Sequence, residues 1–288
     1  MVRDRCRRAA GMRLAMGLCG VLAGLAPAAM GAEAADTSPW RFAPDPVWQD
    51  EFDGQGRPDP ARWGYDTGGK GWGNNELQYY SDRQANAFLA DGLLTIVARR
   101  QKAGGNAYTS ARLVSRGKGD FLYGRIEFRA RLPVARGAWA ALWMLPTDNR
   151  YGSWPRSGEI DIMEHVGHDP GQVHVTVHTE AYNHKAGTQK GRQAAVADVA
   201  ARFHRYRVDW TPDAIEGFID DVPVFAFANE GSGPQAWPFD QRFHLLMNIA
   251  VGGDWGGAQG VDEAAFPAWM EVDYVRVYPL LDPPLDPP

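Results

Sequence analysis

Gly158-Glu159-Ile160-Asp161-Ile162-Met163-Glu164-His165 is the densest acidic run set in otherwise apolar sequence. In a regular strand alternate side chains share a face, so Glu159 and Asp161 point one way while Ile160 and Ile162 point into a core. Glu164 is five positions from Glu159 and has the wrong parity. One extra residue in a β-bulge, most simply Met163, restores it to the acidic face. The stretch therefore predicts three carboxyls in a row on one side of a sheet. Like charges so close push at least one pKa upward, so that one carboxyl keeps its proton near neutrality. Two carboxyls in different protonation states are what acid/base chemistry needs. Pattern alone leaves three readings open: a catalytic pair, a solvated acidic strand edge, or a cation site such as Ca²⁺.

Outward from this run the same period of two recurs. Ile126, Phe128, Ala130 and Leu132 alternate with Arg125, Glu127, Arg129 and Arg131. Val173, Val175 and Val177 alternate with His174, Thr176 and His178, and Tyr206, Val208 and Trp210 with charged residues. The stretches 93–98, 215–219, 243–251 and 272–278 also read as strands, with Asp220-Asp221 as a hairpin turn. The single helical candidate is Ala194 to Phe203. Short strands between frequent Gly and Pro predict an all-β antiparallel sandwich or barrel.

The 288 residues are 44% apolar and 23% charged, which excludes a disordered or fibrous chain. Basic Arg3 to Arg13, apolar Leu14 to Ala29 and the small residues near Ala32 follow the order of a secretory signal peptide, taken here as residues 1–32. Both cysteines, Cys6 and Cys19, fall inside it, so the mature chain is expected to hold no disulfide or thiolate metal site. Without that segment 25 bases face 34 acids, a net of −9, which argues against nucleic acid as a partner. One domain over 33–280 is expected, followed by a Pro-rich tail at 281–288. The expected product is a secreted monomer, extracellular or periplasmic, with no membrane partner after cleavage.

All eleven tryptophans lie beyond residue 32. Trp139, Trp143 and Trp154 precede the acidic run, and Trp255 sits in the loop Gly252-Gly253-Asp254-Trp255-Gly256-Gly257. Aromatic rings stack on the apolar faces of sugar rings, while hydroxyls need polar partners. Four strand steps place the outer Cα atoms of the acidic trio roughly 13 Å apart. Leaning side chains close much of that gap, toward the ~5–5.5 Å of a retaining glycosidase pair. His178, on the polar face of its strand, is a further candidate partner for a carboxyl or a sugar. The seven histidines show no zinc-ligand spacing.

These residues resemble glycoside hydrolase family 16, whose Glu-x-Asp-x-x-Glu signature on a bulged strand matches Glu159, Asp161 and Glu164. The likeness extends to Trp139–Pro146, to Trp154–Gly158, to Asn74–Tyr80, to Val251–Trp255 and to Val272–Tyr278, and spans about residues 40–279. It implies a jelly-roll sandwich of two curved antiparallel sheets with a concave substrate cleft. It implies retaining hydrolysis of internal β-glycosidic bonds, with Glu159 as nucleophile, Glu164 as general acid/base and Asp161 between them. It further implies Asn75, Arg112, Trp139, Trp143, Trp154, His178 and Trp255 as cleft residues. No cofactor is required for the chemistry; a structural Ca²⁺ is implied at Glu51, Gly92 and Asp273. The bulged form resembles the laminarinase branch, so the implied substrate is a β-1,3- or mixed β-1,3/1,4-glucan. Agarase- or carrageenase-type activity and a non-catalytic glucan-binding lectin stay open as alternatives. Asp254 and Gly256 depart from the Asn and Pro frequent in laminarinases.

Overall fold

Alternation decides which side of each strand is buried. In Gly124–Arg131 the side chains of Ile126, Phe128 and Ala130 are fully buried while Arg125, Arg129 and Arg131 are not. A fully buried Ile or Phe side chain contributes about 1.5–3 kcal/mol, so Ile126 and Phe128, with Ala130 beside them, fix the register of the strand by its inner face. The computed structural model describes residues 40–281. The expected signal segment, and the tail after Leu281, lie outside the described residues.

Two eight-stranded sheets carry the fold. One runs Val222–Ala228, Ala214–Ile219, His204–Trp210, Gly124–Arg131, Ala268–Tyr278, Leu93–Ala98, Ala87–Ala90, with Trp48–Asp50 also on Ala268–Tyr278. The other runs Lys190–Ala195, Gln172–His178, Glu159–Val166, Ala138–Pro146, Phe243–Val251, Arg112–Val114, Gly64–Tyr65, with Asp120–Phe121 also on Phe243–Val251. Pairing within both is antiparallel, and one small parallel pair, Gln78–Tyr80 with Tyr108–Ser110, stands apart. The inner faces meet in one apolar core, with Phe128, Tyr206 and Trp210 from the first sheet and Leu142, Ile160 and Met247 from the second. This is the expected jelly-roll sandwich.

The strands anticipated from alternation form, Leu93–Ala98 and Phe243–Val251 with the expected bounds and the others shifted by up to four residues. Asp220 and Asp221 take φ of 50° and 65°, the left-handed pair that a two-residue hairpin requires. The helix expected over Ala194 to Phe203 does not form. Lys190–Ala195 is a strand paired with Gln172–His178, and residues 197–201 are turns. Cross-strand pairing takes Ala194 and Ala195, and the Val196 amide bonds the Gly171 carbonyl at 2.7 Å. Too few residues remain for a helix nucleus. Among the described residues the helical element is the 3₁₀ turn Glu263–Ala265, capped by Asp262.

The acidic strand carries the predicted bulge. Along Gln172–His178 the partners run Glu159 to His178, Asp161 to Thr176 and Glu164 to His174, so three steps on one strand meet two on the other. Against Ala138–Pro146, Met163 pairs with Leu142 and Asp161 with Trp143, which leaves Ile162, not Met163, as the residue passed over. Ile162 and Met163 are both fully buried. Two consecutive apolar side chains thus enter the core, and Glu164 emerges on the same face as Glu159.

Gly158 fixes where this strand begins. Its φ is +86°, and an added Cβ would lie 2.9 Å from Pro238 and 3.0 Å from Phe239. Gly158→Ala is expected to lower unfolding stability by about 1–3 kcal/mol, from the left-handed backbone and the overpacking together. Chemical denaturation checks this; an unchanged midpoint would contradict it.

Candidate active site

The trio stands on the floor of a cleft of about 540 Å³ lined by Trp72, Trp139, Trp143, Trp154 and Arg112. Each tryptophan of a strand in this floor has outward parity. Trp139 and Trp143 alternate with the buried Ala138, Ala140, Leu142 and Met144. Asp161 is buried, whereas Glu159 and Glu164 are half-buried.

Indole N–H groups hold the two outer carboxyls. Trp154 Nε1 donates to Glu159 Oε2 at 2.8 Å, and Trp139 Nε1 donates to Glu164 Oε1 at 3.0 Å. Asp161 hydrogen-bonds Glu159. Two carboxyls can share such a bond only if one of them keeps a proton. His178 Nε2 lies 3.3 Å from Asp161 Oδ2 and 3.9 Å from Glu159 Oε1.

Burial pushes all three acids above the ordinary carboxylate range. For Glu159, burial and then the Asp161 charge act against His178, the Trp154 N–H and Arg112, and the result is about 8. Asp161 is raised by burial, opposed by its bond to Glu159. Glu164 is raised well above its usual value by burial and then by the Asp161 charge. At neutrality the trio therefore holds fewer than three negative charges, so a carboxylic acid is available among the three.

Residues 71–276 match the sequence model of glycosyl hydrolases family 16. The chain belongs to that family and is a glycoside hydrolase. It is similar to a β-glucanase of Rhodothermus marinus, 55% identical over 258 residues that cover 86% of this chain and 89% of the relative. A glucan endo-1,3-β-glucosidase of Cryptopygus antarcticus is 39% identical, over 80% of this chain and 90% of its own. The X-ray structure of the laminarinase from Rhodothermus marinus matches with a TM-score of 0.82 at 55% identity, over 84% of this chain and 99% of that chain.

Within this family 16 cleft, Arg112, Trp139, Trp143 and Trp154 line the cavity together with the trio. His178 sits on the neighbouring strand opposite Glu159 and backs the carboxyls. Asn75 and Trp255 lie beside the lining, in loops pinned to each other. Asn75 Nδ2 donates to Asp254 Oδ1 at 2.8 Å, and the Asp254 amide bonds the Asn74 carbonyl at 2.8 Å. The departure to Asp at 254 thus supplies a charged acceptor for Asn75. Trp255 packs edge-on against Trp139 and His174 at 5.3 and 4.9 Å. It braces the indole that holds Glu164.

Sequence reading missed Trp72, Glu76, Tyr80, Asn248 and His184, all of which line the cavity. Asn248 had a usable signal, as a polar residue breaking the apolar run 243–251. For Trp72 and His184 no spacing pointed to the cleft.

The family chemistry requires no cofactor. Glu159, Asp161 and His178 do offer ligand atoms within 4.8 Å of one another, the one such group of three among the described residues. The side chains expected at a structural Ca²⁺ do not fit an ion as they stand. Arg276 grips Glu51 with two bonds of 2.8 Å, Arg129 pairs with Asp273, and Gly92 occupies a hairpin turn at φ +75°. Both carboxylates are already matched by guanidinium groups.

Asp161→Asn removes a charge that raises both glutamates. The pKa of Glu164 then falls, so the alkaline limb of the pH–rate profile moves to lower pH. The pKa of Glu159 falls too, and the acid limb moves the same way. Initial rates across pH should show the optimum displaced downward; an unmoved or upward-shifted alkaline limb would contradict the coupling.

Proposed function

We propose that this chain is a secreted, retaining endo-glucanase that cleaves internal β-1,3 or mixed β-1,3/1,4 linkages, with Glu159 as nucleophile and Glu164 as general acid/base. The observation that carries the reading is the bulge at Ile162–Met163, which brings Glu164 to the face of Glu159 inside a tryptophan-lined cleft. The relatives' names, a β-glucanase and a glucan endo-1,3-β-glucosidase, support β-glucan as the substrate class.

In the first step the free oxygen of Glu159 attacks the anomeric carbon while protonated Glu164 gives its proton to the leaving glycosidic oxygen. The C–O bond to the departing sugar breaks and a glycosyl ester forms on Glu159. Trp154 occupies Oε2, so Oε1 is the attacking atom. Asp161 lies between the two glutamates, and its charge raises the pKa of both, which favours the proton that Glu164 must hold. Glu164, now a carboxylate, takes a proton from water, whose oxygen bonds the anomeric carbon and releases Glu159. Two inversions leave the configuration retained. No metal enters either step.

Export through residues 1–32 belongs to the same reading. It is supported by the basic-then-apolar order of Arg3 to Ala29. A monomer suffices, because both acids and the lining tryptophans come from one chain.

Glu159→Ala and Glu164→Gln should each lower laminarin hydrolysis on the order of 10³-fold. The first product seen by NMR should be the β-anomer, and dialysis against EDTA should leave the rate unchanged. Full activity in either variant, or an α-configured first product, would refute the assigned roles. Rates on laminarin, lichenan, curdlan and agarose rank the substrates, and agarose leading would refute the glucan assignment.

A further inference from the structure

Glu76 is a fourth acidic side chain in the cleft, and neither chemical step uses it. It is largely buried and lines the cavity. Three donors converge on its carboxylate: Gln78 Nε2 and the Tyr80 hydroxyl on Oε2, and Asn74 Nδ2 on Oε1. Gln78 in turn accepts from the Val251 amide at 2.7 Å, so the carboxylate is tied to the end of a floor strand.

From Tyr80 a chain of bonds leads to the sugar-facing side. Asn248 Nδ2 donates to the Tyr80 oxygen at 3.0 Å, and Trp143 Nε1 donates to Asn248 Oδ1 at 2.7 Å. Trp143 stands directly across the ladder from Asp161. The Arg112 guanidinium lies between Trp72 and Trp143, 4.9 and 4.7 Å from the two ring centres, and meets Asp66 at 3.1 Å.

The direction of this chain is set at its ends. An indole N–H only donates and a carboxylate only accepts. Tyr80, whose pKa burial raises well above the usual value, keeps its proton and donates the O–H to Glu76 across 3.4 Å, the longest link. Its oxygen is left to accept from the Asn248 amide, which turns the Asn248 carbonyl toward Trp143. Every donor points toward the anion, and one orientation of Asn248 satisfies all four groups.

We infer that Glu76 is a positioning residue: as the acceptor end of the chain Tyr80–Asn248–Trp143, it fixes the Trp143 indole and the Arg112 guanidinium stacked on it as a preformed sugar-binding platform. This rests on the glucanase reading and extends it to what orients the cleft wall. Glu76 touches no reacting atom. Its effect falls on substrate binding, in ground state and transition state alike, and so on KM.

The test uses the full-length protein with laminaritetraose as the probe. Glu76→Gln and Tyr80→Phe each raise KM about five- to tenfold with kcat within about twofold, the size of one lost hydrogen bond in a uniform binding term. Kd for the tetraose, read by tryptophan fluorescence, rises in parallel. The double variant is no worse than the weaker-binding single, because both cut one chain. In a Trp143→Phe background, Glu76→Gln no longer changes Kd, which keeps the test open should Tyr80→Phe fold poorly. An unchanged KM with a lowered thermal midpoint, a fall in kcat alone, or full additivity overturns the inference. Wild-type protein that binds the tetraose but releases no reducing ends from laminarin refutes the glucanase reading instead, and the Kd series still decides the role of Glu76.

Discussion

Three carboxyls are taken out of water side by side on one strand, and the rest of the site is arranged around that cost. An unpaired charge in such a place is disfavoured far more strongly than on the surface. The trio meets this without an arginine in contact. Protons take up part of the charge, since burial raises all three pKa values, and Asp161 and Glu159 are linked by a bond that needs one. Neutral indole N–H donors take up another part, at Trp154 and Trp139. A neutral donor steadies a carboxylate while leaving its protonation adjustable, which a fixed cation would not.

That arrangement survives only because the backbone is committed elsewhere. Ile162 and Met163 both enter the core, so returning Glu164 to the other face would extract an apolar side chain, at about 1.5–3 kcal/mol for a residue of that size. The bulge is therefore held by burial and the acids follow from it. On the flanking strands the same inner-face burial of Leu142, Met144, Met247 and Ile249 turns Trp143 and Asn248 outward. The side chains of the cleft are the outward remainder of a core that packs on the other side.

How far a sequence discloses this depends on whether the information is local. Strand parity is local, and the acidic strand, its bulge and the hairpin at Asp220-Asp221 were legible from it. The bulge was misplaced by one residue because nothing in Ile162-Met163 distinguishes two apolar neighbours until the partner strand is known. The helix expected after Ala194 failed for a related reason: pairing with Gln172–His178 outweighed a weak local preference. Cleft residues brought from far along the chain were hidden, since Tyr80 and Asn248 meet across 168 positions. The resemblance supplied Arg112 and Asn75, which no spacing would have linked to Glu159.

The two sheets treat the same residue type in opposite ways, and the contrast explains the chemistry. On the sheet away from the cleft, Arg125 grips Asp209, Arg131 meets Glu271, Arg129 meets Asp273 and Arg276 grips Glu51. A guanidinium in contact favours the charged carboxylate, which suits a cross-strand strut and would disable a general acid. Of the cations that line the cleft, Arg112 acts on Glu159, and it is occupied by Asp66 and stacked against two indole rings. Its field reaches Glu159 only as the smallest of the influences that lower that group's pKa. Keeping arginine at this distance lets burial prevail, so Glu164 holds its proton well above the ordinary carboxylate range.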